Sequence, residues 1–574
     1  MSETPRELSR EEVARIEVGH TAVTRTTAWL LIAVFLGTAA AVPLAQHVVE
    51  VRRYLRGERG RAVPGAYDVF TVLPHAARAG WRGESLFRRV INANAATLAA
   101  MDRYERGLEE DFVLRPHLLP QVQLALAGAL RWSNEQAYLG RDGWLFYRPD
   151  VDYVTGPGFL SRRHIRKRES DRKEWQDRVY TDPVAAVVDF AEQLERRGIA
   201  LVVMPTPLKP TVHPERFSAR FEGVRRPLRN PSFDRFKAAL MTHGIPVFDC
   251  AEQLVQARLQ SGEAQYLAAD THWTPQAMQR VVAGLHRFIA ARAALTPARP
   301  QRYARREVEV TNLGDVAVML QLPSRQRLFD RETVRVQQVT MTEARGYLWR
   351  SDRQADVLVL GDSFSNIYSL DAMGWGEAAG LVEQLSVLMR RPLDRIVRND
   401  DGAFATRQAL ARELAHGRDR LAGKKLVIWQ FAERELFSGN WKPVELRLGE
   451  RKPSSFVAPA KGGELTFRGV IHAITAAPRP GTVTYKDHII SVHLVDVTAI
   501  SGETLAGAQA VVYIWSMRDG AWTRAARFRL GQELTVRAKL WYDVEDEYGR
   551  LRRADLDDPE LDDADPCWAE DVTE

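Results

Sequence analysis

Residues 356–365 read Asp-Val-Leu-Val-Leu-Gly-Asp-Ser-Phe-Ser. An unbroken apolar run of this length predicts a strand buried on both faces, and Gly361 ahead of a helix-compatible stretch predicts a sharp strand-to-helix turn. Ser363 then sits where a following helix points backbone N–H groups at any oxyanion forming beside it, a place suited to a nucleophile. Working outward, Ile199–Met204, Ile245–Phe248, Arg395–Val397 and Leu426–Trp429 read as further buried strands. Helices alternate with them, several marked by a capping side chain before proline: Asp182-Pro183, Asn230-Pro231 and Thr274-Pro275. The alternation predicts an α/β domain over 136–448 with a parallel sheet flanked by helices, whose ligands meet the carboxyl ends of the strands.

A serine nucleophile needs a base. Ala269-Asp270-Thr271-His272-Trp273-Thr274-Pro275 places a carboxylate two residues before a histidine in a pre-helix loop. Asp270 there can fix the tautomer of His272 and stabilise the imidazolium formed when His272 takes the serine proton. The plainer alternative is a helix cap beside a packed histidine. Gly361-Asp362-Ser363 is itself not the G-x-S-x-G elbow, since position 365 is Ser. No metal is expected, because no second His or carboxylate lies at ligand spacing on the following helix, and no cofactor motif is present.

The chain has 574 residues, with 45% hydrophobic, 27% charged and 9% aromatic, which excludes collagen, low complexity and wholesale disorder. Its two cysteines, Cys250 and Cys567, give no support to a disulfide framework, a thiolate zinc site or an iron–sulfur cluster. Net charge is +6, yet residues 554–574 hold ten Asp/Glu and no Lys/Arg, so residues 1–553 carry +16. That charge is dispersed Arg rather than a compact basic block, which argues against nucleic acid. From Ala28 to Val49 there are 22 residues without a charge, the length of a bilayer-crossing helix. The 27 residues before it, with five Glu and four Arg, fit an uncleaved anchor better than a signal peptide, although Ala39-Ala40-Ala41 leaves cleavage open. Five arginines between 52 and 61 follow the span, so charge does not fix its orientation. Residues 50–135 read as a membrane-proximal helical region. After a linker at 449–456 the pattern turns all-β over 457–552, a small barrel or sandwich. Residues 553–574 read as an acidic disordered tail.

Asp270-Thr271-His272-Trp273-Thr274, followed by Gly361-Asp362-Ser363-Phe364-Ser365, resembles the SGNH-hydrolase-like polysaccharide O-acetyltransferases of the alginate acetylation family, AlgJ/AlgX type. Gly140-Arg141-Asp142-Gly143-Trp144-Leu145-Phe146-Tyr147 is similar to the opening of that family's catalytic domain. Val427-Ile428-Trp429-Gln430 with Glu433-Arg434 is similar to its last strand and following loop. In ordinary SGNH esterases Ser comes first and Asp-x-x-His last; here Asp-x-His precedes Ser, as in this family. The resemblance implies acetyl transfer to an exopolysaccharide through Ser363, His272 and Asp270, with Trp429 and Arg434 as substrate contacts. It also implies a single-pass inner-membrane protein with a cytoplasmic amino terminus and a periplasmic catalytic domain, a polysaccharide acceptor, and a membrane-bound acyltransferase partner as acetyl donor. An esterase or deacetylase with the same triad, or a non-catalytic polysaccharide-binding assembly protein, are the alternatives.

Overall fold

The computed structural model describes residues 24–55, 67, 69–81, 85–110, 112, 115–170, 179–292, 295, 300–342, 347–399, 401–415, 417–449, 456–478, 480, 483, 485–500, 509–528, 530–556, 561 and 564–573. The chain divides into two compact units, residues 1–116 and 117–574. In the first, helices Arg25–Leu55, Val69–Ala79 and Leu86–Glu110 follow one another. Gly80 lets the second approach the third, since a Cβ there would lie 2.6 Å from Ala96 Cβ. The expected span, residues 28–49, falls inside Arg25–Leu55, but the side chains of residues 38–40, 42 and 43 lie outside the described ones. Among the described residues no helix is long and apolar enough to cross a membrane. Of the expected cytoplasmic segment 1–27, all but the last four residues lie outside the described ones.

The second unit begins within helix Arg115–Ala129, and the short hairpin of β1 (Ala137–Leu139) and β2 (Leu145–Tyr147) follows. Its core is a four-stranded parallel sheet. The strands are β3 (Ala200–Thr206), β6 (Val357–Gly361), β7 (Asp394–Val397) and β8 (Leu426–Ala432), in the order β3-β8-β6-β7. Strands β6 and β8 are buried along their whole length, as unbroken apolar runs require. Ile245–Phe248 joins the edge through one parallel bridge, Val203–Val247. Asp182 caps helix Pro183–Glu195 by accepting from the N–H groups of Val184 and Ala185, and Thr274 caps Pro275–Ala290 through Ala277. Asn230 does something else: it accepts from Ser232 N–H and donates to Tyr153 O, pinning a loop, while the helix starts at Phe233. Between β3 and β6 lies a long antiparallel hairpin, β4 (Tyr303–Asn312) with β5 (Glu332–Met341), whose connection carries the short helix Asp315–Met319.

The C-terminal strands are β9 (Glu464–Ile474), β10 (His488–Ala499), β11 (Gln509–Arg518), β12 (Ala521–Trp522), β13 (Glu533–Leu540), β14 (Arg552–Ala554) and β15 (Cys567–Thr573). Pairing runs β11-β15-β13-β9-β10 and returns from β10 to β11, so five strands close into a barrel. Its interior holds Phe467, Ile490, Val492, Leu494, Val512, Leu534, Val536 and Cys567. The expected disordered tail is therefore wrong. Cys567 and Ala569 enter the barrel core, β15 pairs with β13 from Thr535–Thr573 to Leu540–Cys567, and Asp555 is clamped by Arg398, Arg412 and Arg553. The barrel also packs on the α/β domain. Leu370 clusters with Ile489, Tyr513, Trp541 and Trp568, and the Arg550 guanidinium donates to Ser369 O at 2.9 Å. Trp541 is thus a core residue of this contact.

Candidate active site

Strand β6 delivers Gly361-Asp362-Ser363 to the carboxyl end of the sheet. Gly361 is required there, because a Cβ would sit 2.5 Å from Ser365 Oγ. Asp362 caps the short helix Ser363–Asn366 through Phe364 N–H at 2.9 Å. The neighbouring strand β8 holds the turn: Gln430 accepts from Asp362 N–H at 3.0 Å and from Ser365 Oγ at 2.6 Å, and Ala432 N–H donates to Asp362 Oδ2 at 2.6 Å. Ser363 is thereby fixed from below by two adjacent strands.

The fold brings the Asp270–His272 loop to this serine. His272 Nε2 lies 2.8 Å from Ser363 Oγ, and His272 Nδ1 lies 2.7 Å from Asp270 Oδ1. Asp270 accepts three further hydrogen bonds, from His272 N–H at 3.0 Å, Asp315 N–H at 2.9 Å and Trp375 Nε1–H at 2.8 Å. All three of Asp270, His272 and Ser363 are buried. The loop is cradled from beneath: Lys209 Nζ donates to Leu145 O and Ala268 O, while Glu332 accepts from the N–H groups of Ala268 and Ala269. Gly314 closes the cradle with φ +97°, and a Cβ there would strike Ala269 O.

Burial opposes charging at each of these groups, and hydrogen bonding decides which way each one goes. For Asp270 burial is outweighed by the His272 hydrogen bond and charge, so its carboxyl is held below the ordinary range. For His272 burial is outweighed by Asp270 and, beyond it, Asp315, so its imidazole is raised. Asp315 is pushed up to about 6, by burial and then by Asp270. Burial brings Lys209 down to about 8. Against the ionised aspartate, His272 in its neutral form is poised to accept the serine proton at Nε2.

Of the two residues expected to touch substrate, Arg434 sits beside the site. Its guanidinium is 5.8 Å from the Phe364 ring centroid and 2.9 Å from Asp150. The expectation for Trp429 is wrong. It is fully buried under the sheet among Phe190, Phe431 and Trp441, with Nε1–H donating to Gly402 O. A strand buried on both faces turns alternate residues into core on either side, so none of its aromatics meets solvent. Among the described residues, the ligand-type atoms of Asp270, His272 and Asp315 lie within 4.8 Å of one another, although Asp270 and His272 already satisfy each other. Asp315, Trp375, Lys209 and Glu332 are parts of the site that sequence reasoning missed. Asp315 stands 45 residues from Asp270, and no local pattern links the two.

Residues 137–433 match the family model described as an SGNH hydrolase-like domain, acetyltransferase AlgX. The chain is 25% identical over 388 residues to the probable alginate O-acetylase AlgJ of Pseudomonas fluorescens, covering 66% of this chain and 87% of that one. Against the protein of the same name from Pseudomonas aeruginosa it is 24% identical over 312 residues, covering 52% and 70%. Among solved structures it is similar to the O-acetyltransferase domain of Pseudomonas putida AlgJ, with TM-score 0.39, 18% identity, and 53% and 93% of the two chains covered. It is also similar to Pseudomonas aeruginosa AlgX, with TM-score 0.39, 15% identity, and 71% and 94% covered. With more than half of its length matched, and with the serine and the histidine that the matched segment contains joined by a hydrogen bond, this chain belongs to the AlgX family of SGNH hydrolase-like acetyltransferases.

Proposed function

We propose that this protein moves acetyl groups onto the hydroxyls of a polysaccharide through an acetyl-Ser363 intermediate. The observation that carries the reading is the continuous hydrogen-bond chain Asp270–His272–Ser363, at 2.7 and 2.8 Å. Ser363 Oγ attacks the donor's carbonyl carbon while His272 Nε2 takes its proton; the imidazolium then returns that proton to the departing group. In the second half, His272 takes the proton of a sugar hydroxyl, whose oxygen attacks the acetyl-serine carbonyl; as the acyl–Oγ bond breaks, the imidazolium returns that proton to Ser363 Oγ. Asp270 keeps Nδ1 protonated throughout. Arg434, anchored by Asp150 and 5.8 Å from the Phe364 ring centroid, is the cation this reading assigns to the donor or acceptor.

A cavity of about 460 Å³ between the α/β domain and the barrel supports a polymeric acceptor. It is lined by Lys442, Arg552 and the half-buried Tyr485 ring among others, with Asp401 and Glu545 also on its wall, charged groups and a ring face that suit a sugar chain. One residue of its wall, Arg398, also donates its backbone N–H to Gly361 O, two residues before Ser363.

The anchor belongs to the same reading. Trp29, Leu30, Leu31, Phe35, Leu36 and Leu44 all project exposed apolar side chains from helix Arg25–Leu55, which supports insertion in a membrane; the inner membrane and a periplasmic catalytic domain come to this reading from the family resemblance. A membrane-bound acyltransferase would then supply acetyl. The deciding experiment incubates the full chain with an acetyl ester, with and without oligosaccharide, and compares it with Ser363→Ala. Acetylated sugar formed by the parent and absent from the variant is expected. Release of free acetate alone makes the protein an esterase, and unchanged turnover in folded Ser363→Ala overturns the mechanism.

A further inference from the structure

We propose that Asp315 is a positioning residue for His272, and that its charge as well as its hydrogen bonds sets how strongly the imidazole draws the Ser363 proton. The inference rests on the serine–histidine reading above and adds a second carboxylate to it. Asp315 Oδ2 lies 3.8 Å from His272 Nδ1, beyond hydrogen-bond range but close enough for a through-space charge to act. The residue is locked in place from both ends: its N–H donates to Asp270 Oδ2 at 2.9 Å, and its Oδ1 accepts from Thr271 N–H at 2.7 Å. Asp315 and the Asp270-Thr271-His272 loop therefore clasp each other reciprocally, Asp315 N–H on Asp270 and Thr271 N–H on Asp315. Gly314, with its left-handed φ of +97°, is what lets the Asp315 backbone come this close.

Asp270 has no capacity left for the histidine's second partner. Its two oxygens accept four hydrogen bonds, two each. Any further stabilisation of the imidazolium must come from another anion, and Asp315 is the one within reach. The charged and titratable groups that face Asp315 are Asp270 and His272 on the loop, Tyr147 from β2 and Lys209 from below, and at His272 itself the Arg434 guanidinium opposes the two carboxylates. Burial and the Asp270 charge place Asp315's own titration at about 6, so its negative charge is present where the neutral histidine has to work and fades as acid silences the site.

The test is the pH dependence of kcat/KM for a small acetyl ester, measured on the full chain and on Asp315→Asn. The amide keeps an oxygen for Thr271 N–H and removes the charge. Loss of a nearby anion makes His272 easier to deprotonate, so the acid limb is expected to move down by about one pH unit. The plateau should fall because the base is weaker. Asp315→Ala, which also orphans Thr271 N–H, should show the same shift with a further loss of rate. A limb that stays in place in Asp315→Asn overturns the proposal whatever the plateau does, because a purely structural side chain would lower the rate without moving a titration. Should Asp315→Asn not fold, Asp315→Ser keeps an acceptor oxygen, lacks the charge and reads the same limb. Ser363→Ala run alongside separates the two readings: if it retains turnover, the triad and this proposal both fall; if it is inactive and the limb is unmoved, only this proposal does.

Discussion

Asp270→Asn should inactivate the enzyme by turning His272 into the wrong tautomer, and the hydrogen bonds around Asp270 say why. One carboxylate oxygen accepts from Asp315 N–H and Trp375 Nε1–H, and the other from His272 N–H and His272 Nδ1. An amide must place its NH₂ on one side. Facing Asp315 and Trp375 it meets two donors that cannot become acceptors, leaving two buried N–H groups orphaned at about 1–3 kcal/mol each. Facing His272 it orphans only the backbone N–H, because the imidazole can shift its proton and accept at Nδ1. The second arrangement wins by the cost of one orphaned donor. It leaves Nε2 protonated against Ser363 Oγ, so no base is available, and a loss on the order of 10⁴ in kcat is expected with only about 1–3 kcal/mol of destabilisation. Adding Trp375→Phe removes one of the two obligatory donors, brings the two amide orientations to near parity and should restore part of the activity. The assay is hydrolysis of a small acetyl ester by Asp270→Asn, alone and combined with Trp375→Phe, with thermal melting as the folding control. Activity of Asp270→Asn within tenfold of the parent, or a double variant no better than the single, would refute the argument.

Three further outcomes are expected. Because Asp270 and Asp315 outweigh burial and raise His272, and the base must be neutral, the acid limb of kcat/KM in the unaltered protein should lie above the ordinary imidazole value of about 6.5; a midpoint at or below it would contradict the charge arrangement. The depressed Asp270 carboxyl contributes stability that is present above its unfolded value of about 3.9 and lost as pH falls below it, so acid melting should be less steep in Asp270→Asn. Trp429→Phe should leave KM unchanged and lower stability by about 1–3 kcal/mol, through lost packing and the bond to Gly402 O; a raised KM with an unchanged melting temperature would return Trp429 to the substrate.

The parallel sheet was legible because β6 and β8 are unbroken apolar runs; Ser363 was legible at a strand-to-helix turn, and Asp270 and His272 in the loop just before helix Pro275–Ala290, each with its own local signature. Their meeting was not in the sequence as such; it follows from both loops lying at the same end of the sheet. Asp315, Lys209 and Trp375 escaped because their role exists only across the fold, through contacts such as Trp375 to Asp270 over 105 residues. The hairpin of β4 and β5 escaped although Glu307-Val308-Glu309-Val310 alternates, because that alternation is short and lies in a strand that is otherwise exposed and polar. Charge also misled at the far end: ten acidic residues read as solvated tail, while Cys567, Trp568 and Ala569 carried the packing signal that made β15.

The closed ring of the barrel has a consequence for the order of synthesis. Strand β15 fills the gap between β11 and β13, parallel to one and antiparallel to the other, and without it the ring stays open. A nascent chain therefore holds its serine, histidine and aspartate well before it can finish the barrel. During that interval β11 and β13 offer open edges onto which a strand from a neighbouring chain can add. A ribosome that stops short of residue 567 releases a polypeptide with every catalytic side chain and a sticky, unfinished module, a product fit for proteolysis rather than for work.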